Sequence, residues 1–405
     1  METEKLLQMR RERGMAIAKT AHILKVSKNE WLVPSQAKTG AYTVRIFQDK
    51  QTCTCADFIE RGLKCKHLFA VEIKQTLQVV NTDGSKTTIT KKITYSQDWA
   101  NYTKAQNEEG KLFKDLLKDL VGNVQEEPYT FGRPKVPLKT SLFCAIDKVY
   151  SMQSSRRAYS RYKEAEIKQM INRAPNYNVI NKLLNDSKMT PILSNLLNIT
   201  SLPLKSVETR FSADSTGFET TQFSEYCNIK HKQGKQHKWI KCHALTGNTT
   251  NIITSAIITD EHGADSPQFI PLVEETAKLG FDMQEISADK AYNSFANFNA
   301  VASVDATPYI PFKKNTTAKV HTGNKAWLWR KMYHYFQLNQ EEFLEHYHKR
   351  SNVETTFFAI KAKFGATLKS KNQTAQVNEL LCKLIAYNIT VIIGAIYELG
   401  IKIEF

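Results

Sequence analysis

Four things are scarce in this 405-residue sequence: apolar residues near its start, unbroken apolar runs, cysteine, and negative charge. The opening Met1-Glu-Thr-Glu-Lys5, followed by Arg10, Arg11 and Arg13, has no apolar core of the kind a signal peptide needs, so no export signal is read. The most apolar run, Leu384 to Leu399, is interrupted by Asn388 and flanked by Lys383 and Glu398, which suits a buried helix better than a membrane span. Seven cysteines is an odd count, and without an export signal a disulfide framework is not expected. Cys144, Cys227, Cys242 and Cys382 are far apart and read as buried or incidental thiols. Acids number 40 against 56 Lys and Arg, a net charge of +16 with a pI near 9.3, so a polyanionic partner is expected, nucleic acid first and an anionic membrane surface second. A soluble, cytoplasmic protein is the expectation.

What is present fills cores: 41% hydrophobic and 10% aromatic residues over this length point to two or three domains. Residues 1 to about 25 read as a basic amphipathic lead-in helix, followed by strands at Glu30 to Pro34 and Ala41 to Gln48. Next come Cys53-x-Cys55 and Cys65-x-His67, two ligand couples separated by nine residues. Thiolates and imidazole are preferred zinc donors, and four of them close a tetrahedral structural site with no open position for chemistry. A helix over Leu68 to Gln78 follows. This order and spacing resemble the SWIM-type zinc finger over about residues 20 to 78, with all four ligands matched. The resemblance implies a small α+β module within residues 1–80 that binds one Zn2+ and contacts DNA or protein.

Residues 81–139 read as a linker, polar and threonine-rich at first and then charged and interrupted by Pro128, Gly132, Pro134 and Pro137, with a short helix near Gly110 to Val121. Residues 140–203 read as helices, with Arg156, Arg157, Arg161 and Lys163 along the first. They suit a helix-turn-helix-like DNA-binding bundle or, equally, a spacer packed on the next domain.

From residue 204 onward the pattern changes to strands: Val207 to Ala213, ending at Asp214; Lys238 to Leu245; Thr250 to Thr259; Glu285 to Ala288, ending at Asp289; and Pro308 to Phe312. Helices are expected at Ser266 to Leu279, closed by Gly280, and at Phe295 to Val304. A single helix is then expected from Tyr347 to Lys361. At about 100° per residue, Tyr347, Arg350, Glu354 and Lys361 share an arc of roughly 60°, beside an apolar stripe of Val353, Phe357, Ile360 and Phe364. Taken singly, Asp214 and Asp289 are ordinary strand-end residues, and Arg350 with Glu354 is an ordinary surface pair. Taken together, three carboxylates in this strand-helix order repel one another unless divalent cations join them, and two such cations serve phosphodiester transfer.

Tyr347-x2-Arg350-x3-Glu354-x6-Lys361, with Ala288-Asp289-Lys-Ala-Tyr292 and Asp214-Ser-Thr-Gly217, resembles the DDE transposases of prokaryotic insertion sequences over roughly Lys205 to Ile396. The resemblance implies an α/β, RNase H-like mixed sheet flanked by helices over 204–405. It implies Asp214, Asp289 and Glu354 as catalytic ligands of Mg2+ or Mn2+, and Tyr347, Arg350 and Lys361 as DNA phosphate contacts. The spacing of 65 positions from Asp289 to Glu354 leaves room only for a small basic insert near 313–346, with Trp327, Trp329, Tyr333 and Tyr335 beside Lys325, Arg330 and Lys331. The Lys- and His-rich stretch His231 to His243 is too irregular for a second zinc site and reads as backbone-facing cations. The expected function is cut-and-paste transposition on double-stranded DNA by a homodimer, in the cytoplasm with the nucleoid. A catalytically silent zinc-containing DNA-binding regulator, or a metal-dependent nuclease without strand transfer, uses the same residues.

Overall fold

In the N-terminal part, Trp31, Val33 and Val44 alternate with more exposed neighbours on facing strands, and their side chains point to one buried face. The computed structural model describes residues 2–21, 23–27, 29–35, 40–47, 50–80, 86–90, 98–126, 131–132, 135–220, 239–317, 327–403 and 405. Outside them lie Cys227, Lys325, Pro128, Pro134, most of the His231 to His243 stretch and much of the threonine-rich run after Asn81. The chain forms two units, Met1–Trp99 and Ala100–Phe405.

In the first unit, helix α1 (Glu2–Thr20) precedes an antiparallel sheet in the order β1 (Leu24–Ser27), β2 (Glu30–Pro34), β3 (Ala41–Ile46) and β4 (Gln51–Cys53). Helices α2 (Ala56–Arg61) and α3 (Lys66–Gln75) follow, then a hairpin of β5 (Thr76–Val80) and β6 (Lys86–Thr90). Ile17, Leu68 and Val71 meet the buried face of the sheet. α1 lies so close to α3 that a Cβ at Gly14 would sit 2.6 Å from the Cβ of Phe69, so glycine is what permits the contact.

The second unit opens with α4 (Trp99–Gly122), a 24-residue helix inside the stretch read as linker. Its charge alternation hides an apolar stripe of Phe113, Leu116, Leu117, Leu120 and Val121, all buried. Helices α5 (Leu138–Tyr150), α6 (Ala158–Ile167), α7 (Tyr177–Leu184) and α8 (Met189–Ser201) follow. The first of the expected helices, read as carrying Arg156, Arg157, Arg161 and Lys163, is two, broken after Tyr150, where Met152 takes a left-handed conformation at φ 51°.

The mixed sheet runs β11-β10-β7-β8-β9. β7 (Arg210–Glu219), β8 (Trp239–Gly247) and β9 (Ile253–Asp260) are antiparallel neighbours, while β10 (Glu285–Ala288) and β11 (Thr307–Tyr309) run parallel to β7. β7 does not stop at Ala213. Each residue from Phe211 to Glu219 finds a partner on β8, down to Glu219 opposite Trp239, and these ladder bonds override the turn-like composition of Asp214-Ser-Thr-Gly217.

α9 (Asp265–Lys278), α10 (Phe295–Ala302), α11 (Trp327–Leu338) and α12 (Gln340–Tyr347) join Phe211, Leu245 and Ile286 of the sheet in one apolar core. α13 (Ser351–Phe364) and α14 (Gln373–Leu399) share a second core with α4 to α8 and with Phe218, Ile240 and Cys242. The result is a mixed α/β sheet flanked by helices, the architecture the RNase H-like resemblance implied, with the 140–203 helices packed into the same core as that sheet. α14 is long and apolar enough to cross a membrane by length and composition, but 72% of its most apolar window is buried inside this core. The helix expected across Tyr347 to Lys361 is two: α12 ends at Tyr347, a 3-10 turn occupies His348–Arg350, and α13 begins at Ser351.

Candidate functional site

Two sites emerge, one in each unit. In the first, β4 delivers Cys53, Cys55 is the N-cap of α2, Cys65 precedes α3 and His67 lies in its first turn. Sheet pairing of Cys53 with Val44 and the start of α3 bring the two couples together. All four are buried, and their donor atoms lie within 4.8 Å of one another. His67 turns Nδ1 to the thiols, 3.8 Å from Cys53 Sγ and 3.9 Å from Cys65 Sγ. Those separations match the edges of a tetrahedron built on zinc–sulfur and zinc–nitrogen bonds of about 2.3 and 2.0 Å. The hydrogen bond from Cys53 pulls the Cys65 thiol down to about 4, with His67 and the backbone of Leu68 helping, while the same bond pushes Cys53 up. The donor set fits a structural zinc.

In the second unit the register of the sheet does the gathering. β10 pairs with β7 in parallel up to Ala288 against Ala213, so Asp289 leaves β10 at the level where Asp214 continues β7. Asp289 caps the short turn Lys290–Tyr292, accepting from the Lys290 amide at 2.5 Å. From the other direction, Arg350 at the head of α13 donates from Nη1 to Asp214 Oδ2 at 2.7 Å and from Nη2 to Glu354 Oε1 at 2.6 Å. Burial pushes the Asp214 carboxyl up, with Arg350 pulling the other way. Arg350 is itself raised: burial opposes its charge, but Asp214, the Tyr347 hydroxyl and Glu354 outweigh it.

Lys361, two turns on, donates to Thr216 Oγ1 at 2.8 Å and lies 5.3 Å over the Phe218 ring. Residues 214, 216 and 218 alternate onto one face of β7, so Arg350, Glu354 and Lys361 all address that face. The structure thus joins Asp214, Glu354, Arg350 and Tyr347 through side-chain contacts, places Lys361 on Thr216 and Phe218 of the same β7 face, and leaves Asp289 just past the end of the strand beside β7. It does not close the three carboxylates on one another; among the described residues the Cys/His set is the one group whose donors do so, and Arg350 stands between Asp214 and Glu354. Glu354 itself is 58% exposed.

Two further clusters were not legible in the sequence. On the opposite face of β7, Asp265 Oδ1 lies 2.7 Å from Lys241 Nζ and 3.2 Å from Nδ1 of the buried His243. Behind the 3-10 turn, Glu285 is held by His346 Nδ1 and Lys349 Nζ, both at 3.0 Å, and by Arg210 Nε at 3.4 Å. This clamp fixes the turn that carries Arg350. Its members are 61 and 64 residues apart, with no local pattern to mark them. Trp329, in the insert, is buried and donates to Asn293 Oδ1 at 2.8 Å, so it is part of the platform under the Asp289 turn.

No solved structure matches this chain. Residues 42–75 match the family model of the SWIM zinc finger, and residues 205–389 match that of the transposase DDE domain. Residues 205–389 thus carry a transposase DDE domain, with a SWIM zinc finger ahead of it.

Proposed function

We propose that the protein is a DNA transposase that cleaves transposon ends and joins the resulting 3′-hydroxyls to target DNA. The observation that carries this reading is the convergence on β7: Asp289 leaving β10 at the level of Asp214, and Glu354 tied to Asp214 through Arg350. Asp214, Asp289 and Glu354 would hold Mg2+ or Mn2+. Hard oxygen donors suit these ions, and neighbouring like charges on β7 and β10 favour a cation between them. When bound, the ions activate the attacking water or 3′-hydroxyl and stabilise the leaving oxygen. Arg350, Lys361 and Tyr347 present two cations and a phenol along the same face, where they would hold the backbone phosphates that position the scissile bond. Handling two ends together calls for a homodimer on DNA. The protein would act in a prokaryotic cytoplasm, on the nucleoid.

The test is Glu354→Gln in the full chain. It is expected to abolish Mg2+-dependent cleavage of an end-bearing duplex while DNA binding persists, and full cleavage by that variant would sink the reading. Cleavage without joining in the parent would instead define a nuclease, and binding without cleavage a regulator.

A further inference from the structure

The helices of residues 140–203 turn their apolar faces inward, with Ile180, Leu184, Leu193 and Leu197 in the core beneath α14. What they leave outside is basic. Arg156 and Arg157 precede α6, Lys182 lies on α7, Lys188 opens α8, and Lys369 and Lys371 lie in the turn between α13 and α14; all six are exposed. These segments form one surface. Ser155 Oγ donates to Asn181 Oδ1 at 2.7 Å, and Asn372 Nδ2 donates to Asn185 Oδ1 at 2.7 Å. Lys369 Nζ donates to the carbonyl of Met152, and the Arg156 guanidinium lies 5.7 Å over the Tyr177 ring.

The cations of this surface are not matched by acids. Among the described residues none of the six is in an ion pair, whereas Arg161, Lys163 and Lys168 nearby are bound to Asp147, Glu166 and Glu164. The acids at hand are occupied by backbone: Asp186 Oδ1 accepts from the Lys188 amide at 2.9 Å, and Glu379, buried, accepts from the amides of Lys369 and Ser370 at 2.9 and 2.7 Å. The surface also continues the catalytic face. α13 rises from Glu354 to Phe364, about 15 Å at 1.5 Å per residue, with Lys361 on the way. The chain then anchors to the end of β7 through Leu368 N on Glu219 O at 2.8 Å, directly before Lys369.

We propose that Arg156, Arg157, Lys182, Lys188, Lys369 and Lys371 form a ledge that holds the phosphate backbone of duplex DNA roughly five base pairs or more from the carboxylates, at about 3.4 Å per step. The ledge works by charge and reads no bases: exposed Lys and Arg side chains at turns and helix ends meet phosphates, and α7 and α8 are committed to the core rather than offered to a groove. The inference rests on the transposase reading for its ligand, but it concerns binding and not chemistry.

The test is binding of the full-length protein to a 30-base-pair duplex of arbitrary sequence, without divalent metal, over a series of salt concentrations. Replacing Lys182, Lys188 and Lys371 together by Gln removes three phosphate contacts. The slope of log affinity against log salt is expected to become shallower by about 2.7, so that the parent loses roughly 40-fold more affinity than the variant between 50 and 200 mM salt. Replacing the same three by Arg should restore the parent's slope, which a merely structural defect would not allow. Equal affinity and equal slope for parent and Gln variant overturn the ledge, as does a loss confined to an RNA hairpin with DNA binding intact. If the ledge fails while Glu354→Gln still loses cleavage, only the ledge falls; if the ledge holds while the parent never cleaves, only the catalytic reading falls.

Discussion

Arg350 holds Asp214 from 136 residues away, 2.7 Å from guanidinium nitrogen to carboxylate oxygen, and with its other nitrogen it holds Glu354 at 2.6 Å. Arg350 spans the two carboxylates with two separate nitrogens of one planar fork, a reach that the single nitrogen of an ammonium does not have. Arg350→Lys therefore keeps the charge but loses the bridge. Its cleavage rate is expected to fall on the order of 10²- to 10³-fold, the range seen when one well-placed donor is removed from an active site. Circular dichroism should be unchanged. A variant cleaving at the parent's rate would show that the bridge has no part in setting the site.

Glu285 clamps the turn before Arg350, and it does so as an anion. Burial alone would raise its carboxyl, but His346 and Lys349 hold it at about 2, below the ordinary 4.5. A carboxyl lowered on folding contributes stability that is whole above its unfolded value and is lost as pH falls through its folded value. Parent and Glu285→Gln should thus differ by roughly 2 to 3 kcal/mol in urea unfolding at pH 7. The gap should narrow from about pH 4.5 downward. A gap that stays constant to pH 3 would remove the clamp's ionic character.

How much of this was legible beforehand depends on sequence separation. The zinc ligands lie within fifteen positions, from Cys53 to His67, and local spacing marks them completely. β10 was legible to the residue because Ile286 and Ala288 alternate with Glu285 and Ser287 ahead of a polar turn at Asp289-Lys290. Asp214 was not legible as a mid-strand residue: Asp-Ser-Thr-Gly has the composition of a turn, and only pairing with β8, a strand that begins 25 residues later at Trp239, keeps it extended. Only the second half of α4 was read, near Gly110 to Val121, where Phe113, Leu117, Leu120 and Val121 follow helical spacing; its first half was obscured by polar and charged residues. The break between α12 and α13 had no sign at all, because it accompanies contacts of His346, at the end of α12, and Lys349, in the 3-10 turn, with Glu285 on a distant strand.

The segment between β4 and α3 is held to α1 by buried Arg10, which donates to Asp57 Oδ1 and to the Lys64 carbonyl, and Phe58 packs on the core. The four buried thiol and imidazole donors it brings together have no other purpose in that core, so a bound metal should add to its stability. Purified protein is expected to carry about one zinc per chain. Cys65→Ser, or a strong chelator, should release it and accelerate amide exchange across residues 40–75, while exchange in β7 to β9 is unaffected. Protection in 40–75 that survives complete zinc removal would refute a structural role.

Asn388 interrupts the most apolar helix of the chain and is fully buried there. Its Oδ1 accepts from the Ile253 amide at 3.0 Å, and its Nδ2 donates to the Ile253 carbonyl at 2.7 Å and to Thr200 Oγ1 at 2.8 Å. One side chain thereby satisfies both backbone groups at the head of β9 and pins α8 and α14 to the sheet. Asn388→Leu would make α14 more apolar and, by transfer energy alone, favour burial. It would also leave buried polar groups of Ile253 and Thr200 without these partners, each at a cost of about 1 to 3 kcal/mol. The second effect wins, because a leucine gains little where an asparagine of similar volume was already enclosed. The urea midpoint of the second unit should fall by an amount worth roughly 2 to 4 kcal/mol with the slope m unchanged. An unchanged or higher midpoint would mean that packing, and not this three-way hydrogen bonding, joins α14 to β9.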